Sequence, residues 1–186
     1  MRLFIAVNLP AETRAQIAAA TRSLRESGLP VRWVEPDAFH LTLKFLGEVG
    51  DVLAANVTAA IELVATRQPP FTLRLHGAGA FPQLRRPAVW WLGIDPSAPL
   101  AALHQDVERE VAPLGFPTEP RPFAPHLTLG RTARDVRPGA LAGADARLQA
   151  VVFDRTITID SLDLMRSHLS PRGARYERVF AAPLRP

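Results

Sequence analysis

The chain has 186 residues, 47% of them hydrophobic and 22% charged, with 22 Lys plus Arg against 18 Asp plus Glu for a formal net charge of +4. That length suits one compact domain or two small lobes on a shared core, and the composition is far from that of a disordered segment. The lack of cysteine excludes disulfides, thiol nucleophiles and thiolate metal sites.

No apolar run has the length of a signal-peptide core or a bilayer span, so a cytoplasmic protein with no membrane association is the default expectation. Lys44 is the only lysine, so arginine carries almost all the positive charge. Guanidinium grips phosphate through paired hydrogen bonds, which fits an anionic partner such as RNA; a coding bias toward arginine explains the composition equally well.

In chain order, residues 3–7 read as a strand and 11–26 as a helix with Ile17 and Leu24 on one side. A strand over 39–46 is followed by a helix over 51–66, where Leu53, Val57, Ile61 and Val64 share a face. Strands are predicted at 71–75 and 88–94. The clearest helix spans 97–114, with Leu100, Leu103, Val107 and Val111 at three- and four-residue steps, Ser97 as cap and Gly115 beyond its end. A strand at 126–130 and a weak helix at 137–148 come next. The chain closes with strands at 151–159, 161–167 and 176–180, the last two forming a hairpin turned at Ser170-Pro171-Arg172-Gly173. Strands interspersed with helices, without a βαβ cadence, give an α+β fold with largely antiparallel sheets.

One segment occurs twice. Phe39-His40-Leu41-Thr42-Leu43 returns as Phe123-Ala124-Pro125-His126-Leu127-Thr128-Leu129, each after a proline-rich approach. Two copies are too few for a solenoid, so two similar lobes facing each other are expected.

In a strand, residues i and i+2 share a face, so His40 and Thr42 point one way while Leu41 and Leu43 bury the other; His126 and Thr128 repeat the arrangement. Two such strands would line a cleft with two imidazoles and two hydroxyls. A neutral imidazole can take a proton from water attacking phosphorus, while a protonated one gives a proton to the departing ribose oxygen. Imidazole titrates near ~6.5, so both states are accessible at neutral pH. The threonine hydroxyls can steady the non-bridging oxygens. A lone His-x-Thr is usually an ordinary strand pair, but two copies among five histidines are much harder to dismiss.

These residues resemble the paired His-x-Thr-x motifs of the 2H phosphoesterase superfamily, and within it the RNA 2′,3′-cyclic phosphodiesterases, also called 2′-5′ RNA ligases. The resemblance covers nearly the whole chain, including Met1 to Val7, Val31 to Val34, Phe81 to Ile94 and the closing segment with Ser167, Pro171, Gly173, Tyr176 and Pro183. It implies a single bilobal α+β domain over 1–186, with two pseudo-symmetric lobes around a central cleft. It also implies hydrolysis of RNA 2′,3′-cyclic phosphate ends to 2′-phosphates, with His40 as general acid and His126 as general base, although near-symmetry lets either fill either role. A 2′-5′ joining activity is the related transfer. No cofactor is implied, and a monomer acting on an RNA or oligonucleotide end is expected.

Arg131, near the end of the second motif strand, is a candidate for contact with the substrate phosphate or a solvated strand end. Lys44 either joins the cleft wall or ends the buried strand, the plainer choice. Trp33, Trp90 and Trp91 suit core packing more than base stacking, and of the adjacent pair at most one can look into the cleft. His104 is expected on an exposed helix face, His76 at a strand end and His168 before the last turn. No His-x-x-x-His or His-x-x-Glu-His spacing exists, so no metal site is expected. Arg85-Arg86 and Arg172, Arg175 and Arg178 either attract an RNA backbone or solubilise loops. Two other functions use the same residues: a phosphodiesterase for small cyclic nucleotides, and a non-catalytic module that binds RNA ends.

Overall fold

The computed structural model describes residues 1–137, 139–170 and 173–185. Its elements run β1 (Arg2–Asn8), α1 (Ala11–Ala20), α2 (Arg22–Arg25), β2 (Val31–Trp33), β3 (His40–Glu48), α3 (Asp51–Ala65), β4 (Phe71–Gln83), β5 (Arg86–Ile94), α4 (Ala98–Val111), β6 (His126–Thr132), α5 (Ala144–Gln149), β7 (Asp154–Ile159), β8 (Ser161–Ser170) and β9 (Gly173–Pro183). Among the described residues the strands form one sheet in the order β7-β4-β5-β6-β3-β1-β8-β9, with β2 added to β6. Every pairing is antiparallel. This is the expected α+β architecture. The four-strand halves β7-β4-β5-β6 and β3-β1-β8-β9 meet at the two motif strands, through the single registered pair Leu41↔Leu127.

Strand alternation explains the layers. Leu3, Ile5 and Val7 of β1, Leu41 and Leu43 of β3, Trp90 and Leu92 of β5, and Leu127 and Leu129 of β6 are all buried in one cluster. The helices supply Ile17, Val57, Ile61, Leu100, Leu103, Val107 and Leu148 to the same cluster. Each such side chain, fully buried, contributes about 1.5–3 kcal/mol. The opposite face of the sheet carries the polar half of each motif and a small second cluster of Phe4, Ala6 and Met165 with Tyr176 packed on it.

Several boundaries differ from the sequence reading. The helix expected over 11–26 breaks at Thr21, whose backbone leaves the helical region (φ −97°, ψ 3°) while its Oγ1 donates to the Ile17 carbonyl at 2.8 Å; such back-bonding competes with the helix ladder. The helix expected over 137–148 contracts to Ala144–Gln149, because Gly143 precedes it in the left-handed region at φ 72°. Within β4, His76 does not end the strand. Gly77 (φ 66°) makes a bulge there, with the register to β5 shifting between Leu75 and Ala78, and the strand continues. Pro171 and Arg172 of the expected last turn lie outside the described residues; β8 and β9 pair up to Ser170↔Gly173 on either side of it. The cap is as expected: Ser97 Oγ accepts from the Leu100 N–H at 3.4 Å. No helix among the described residues is long and apolar enough to cross a membrane.

Candidate active site

The central strands bring the four motif side chains together. His40 and Thr42 on β3, and His126 and Thr128 on β6, all line one cleft of about 850 Å³, and Arg131 lines it with them. Beneath them Leu41 and Leu127, the residues that join the halves, are almost wholly buried.

Both imidazoles are held the same way. Nδ1 of His40 lies 2.8 Å from the Ala38 carbonyl, and Nδ1 of His126 lies 2.8 Å from the Ala124 carbonyl. A carbonyl only accepts, so each Nδ1 carries the hydrogen and each Nε2 is left to act. Nε2 of His40 sits 3.1 Å from Thr42 Oγ1. Aromatic edges fix the rings: Tyr176 meets His40 at 4.9 Å between centroids and 82°, and Phe81 meets His126 at 5.0 Å and 83°. Phe4 adds a tilted contact to His40 at 4.9 Å. Burial lowers the pKa of His40 below the ordinary imidazole value, against the opposing effect of the bond to Ala38. In the free protein that histidine therefore favours its neutral form.

The two strands also share a defect. Along β3, Ala6 pairs with Thr42 and Ile5 with Lys44, so Leu43 is skipped; along β6, Trp91 pairs with Thr128 and Trp90 with Gly130, so Leu129 is skipped. Each is a bulge, which re-aims the side chains beyond it. Simple alternation from His126 would send Arg131 into the leucine core. The bulge returns it to the cleft, and it does the same for Phe45, which is 65% exposed.

Residues 9–171 match the 2′-5′ RNA ligase superfamily. The chain belongs to that superfamily. It is 31% identical over 176 residues, 95% of each chain, to an RNA 2′,3′-cyclic phosphodiesterase of Methanothermobacter thermautotrophicus. It is 43% identical over 139 residues, 72% of this chain and 73% of the other, to an RNA 2′,3′-cyclic phosphodiesterase of Escherichia coli. The crystal structure of E. coli LigT complexed with 3′-AMP superposes with a TM-score of 0.75 at 32% identity, covering 98% of this chain and 97% of that one.

In this 2′-5′ RNA ligase superfamily chain the remaining candidates fall on both sides of expectation. Lys44 departs from the plainer reading: β3 runs on past it to Glu48, and its buried side chain lines the cleft wall, with Nζ donating to Glu108 Oε2 at 2.7 Å and to the Pro117 carbonyl at 2.6 Å. Glu108 Oε2 also accepts the Glu119 N–H at 3.2 Å. The pair thus bolts the loop approaching His126 to β3. His104 is not exposed as expected. It stacks on Phe123 (4.0 Å, 8°) along the cleft wall, because the loop from α4 to β6 folds back over that helix face, and burial lowers its pKa. Trp90 is fully buried, its Nε1 donating to Thr132 Oγ1 at 3.0 Å and its ring edge-on to Trp33, while Trp91 is half-buried and packs on Phe81. His168 pairs with Glu177 across the closing hairpin at 2.8 Å. Arg85, Arg86, Arg175 and Arg178 are exposed; Arg172 lies outside the described residues. Sequence reasoning did not place Tyr176, Phe4 and Phe81 around the imidazoles. That Tyr176 is the only tyrosine was the available signal.

Proposed function

We propose that the chain hydrolyses 2′,3′-cyclic phosphate ends of RNA to 2′-phosphates by metal-independent acid and base catalysis. Nε2 of His126 takes a proton from water as its oxygen bonds to phosphorus. The bond from phosphorus to the 3′-oxygen breaks, and that oxygen takes the proton carried on Nε2 of His40. Hydroxyls of Thr42 and Thr128 and the Arg131 guanidinium hold the non-bridging oxygens, where charge builds in the transition state. The lowered pKa of His40 suits a strong proton donor, provided the anionic substrate restores the proton on binding, as a nearby negative charge does. A ribose 5′-hydroxyl in place of water gives a 2′-5′ phosphodiester by the same steps.

One observation carries this reading: two identically tethered imidazoles, each followed by a threonine, face one cleft. The names of the Methanothermobacter and E. coli relatives support the substrate. One chain supplies every group named, so no second subunit is needed, and the reading places the protein in the cytoplasm with RNA. The experiment is turnover of a cyclic-ended oligonucleotide in excess EDTA, with products resolved as 2′- or 3′-phosphate. Formation of the 2′-phosphate, and its loss by orders of magnitude in His40→Ala and in His126→Ala, is expected. Dependence on added metal, or a variant as active as the parent, would reject the mechanism.

A further inference from the structure

The two halves of the sheet repeat a frame but not the surface they turn toward the cleft. Beside His126 that surface is aromatic, Trp91 and Phe81 standing with ring centroids 5.3 Å apart, and farther along β6 Arg131 lies between its ladder partners Val89 and Arg32. Beside His40 it carries a second group of arginines, Arg2 and Arg178, around Phe4 and Tyr176. Arg2, Phe4 and Ala6 share one side of β1 by alternation. Phe4 is in register with Met165, and Met165 with Arg178; Ser167 is in register with Tyr176. Tyr176 packs edge-on against Phe4 (5.3 Å, 79°) as well as against His40. The fields of Arg131 and Arg2 both act on its hydroxyl, against the rise that burial imposes on its pKa.

Little negative charge offsets this face. Neither Arg2 nor Arg131 has a carboxylate within salt-bridge distance among the described residues. Glu48, in register with Arg2, has its carboxylate 3.6 Å from the N-terminal amine, and Glu177 lies on the alternate side of β9 with His168. Asp163 is 4.0 Å from Arg178, but it is wholly buried and accepts from Asn8 Nδ2 at 2.6 Å. Exposed aromatic surface is interleaved with the charges, chiefly Phe45.

From β3 to β9 this face crosses three inter-strand steps of about 4.8 Å, roughly 14 Å in all. A terminal ribose with its cyclic phosphate does not span that length. Arginines with aromatic rings between them are the surface that holds unpaired nucleotides, charges on the backbone and rings on the bases.

We propose that the cleft-side face of β1, β8 and β9, through Arg2, Tyr176 and Arg178, carries the single RNA strand immediately upstream of the cyclic-phosphate end. The preferred substrate is then a single-stranded oligonucleotide and not a cyclic mononucleotide. This rests on the catalytic reading above for the end it places at the histidines.

The test has a binding arm and a kinetic arm. Fluorescence anisotropy follows a 5′-labelled RNA pentamer ending in a 2′-phosphate, across a salt series, with the parent protein, Arg2→Ala/Arg178→Ala, and a control, Arg22→Ala/Arg147→Ala, that removes the same charge from the helix side. The first pair is expected to weaken binding at least tenfold and to reduce the slope of log affinity on log salt by about 0.7 per lost phosphate contact; the control keeps the parent slope. Equal losses in both pairs, or none in the first, overturn the assignment. In the kinetic arm, the ratio of kcat/KM for a cyclic-ended pentamer to that for a cyclic mononucleotide exceeds one and falls about tenfold in Arg2→Ala/Arg178→Ala; a parent ratio of one also overturns it. A parent protein that opens neither substrate rejects the catalytic reading, and the binding arm still judges the face.

Discussion

Leu43 and Leu129 hold the same place in the repeat, and each is the residue that its neighbouring strand skips. Their matched bulges decide which downstream side chains reach the cleft. Lys44 is turned to the side of Ile5, where it meets Glu108 in the buried wall of the cleft, and Phe45 and Arg131 are turned out. Two strands of one sequence type thus present the histidine and threonine alike, then diverge five residues beyond the histidine into an aromatic ring on one side and a guanidinium on the other.

Arg131 has no competing carboxylate among the described residues, so its charge is available to a phosphate. Arg131→Ala is expected to reduce kcat about 10²–10³-fold, the loss typical of one transition-state donor. Arg131→Lys recovers only part of this, because an ammonium cannot reproduce the planar fork. Steady-state kinetics on a cyclic-ended oligonucleotide checks both, and full activity in Arg131→Ala removes the residue from the reaction.

The burial of His40 sets a pH dependence. Its pKa is lower in the folded chain than in the unfolded one, near ~6.5. Folding thus favours the neutral ring, and the stability this contributes is present above about pH 6.5 and lost as pH falls through the folded value. A bound phosphate has the opposite preference, favouring the imidazolium, so product affinity rises over the same fall in pH. NMR titration of the His40 ring should give a value below the ordinary one in the free protein and a higher one with a 2′-phosphate bound. An unchanged value on binding would remove His40 from contact with the phosphate.

The local parts of this site were legible because they depend on local rules. His-Leu-Thr-Leu alternates, so its faces follow from the strand period, and α4 announces itself through Ser97 and the spacing of Leu100, Leu103, Val107 and Val111. What escaped depends on partners distant in sequence. The skipped leucines are defined only against β1 and β5, and Tyr176 reaches His40 only because β9 pairs with β8 and β8 with β1. His104 departs from expectation for the same reason: its helix face is polar in sequence, but the loop bearing Phe123 covers it.

Gly79 offers a test of the apolar wall beside His126. A Cβ there would lie 2.2 Å from Cη2 of the Trp91 ring, and Trp91 packs on Phe81, which in turn fixes the His126 imidazole. Gly79→Ala is expected to cost about 1–3 kcal/mol by overpacking and to lower kcat through a displaced imidazole. Thermal melts and kinetics on the same preparation test this; a loss of stability with unchanged kcat would mean that the ring stack does not position His126.

The Lys44 and Glu108 pair separates charge from packing. Both side chains are largely buried, and Glu108 Oε1 has no hydrogen-bond partner. Removing only the cation in Lys44→Ala leaves a carboxylate uncompensated in the interior, a loss of about 3–5 kcal/mol. For a chain of this size that lowers Tm by roughly 2–4 °C per kcal/mol. It also frees the Pro117 carbonyl from its donor, which loosens the loop leading to His126 and raises KM. Replacing both charges, as in Lys44→Met/Glu108→Leu, removes the desolvation cost together with the attraction and is expected to restore most of the Tm, since apolar substitutes for a buried pair are often neutral or better. It does not restore the bonds to Pro117 and Glu119, so KM stays high while Tm recovers. If Tm and KM recover together, the pair serves stability alone; if Lys44→Ala melts with the parent protein, the pair holds nothing.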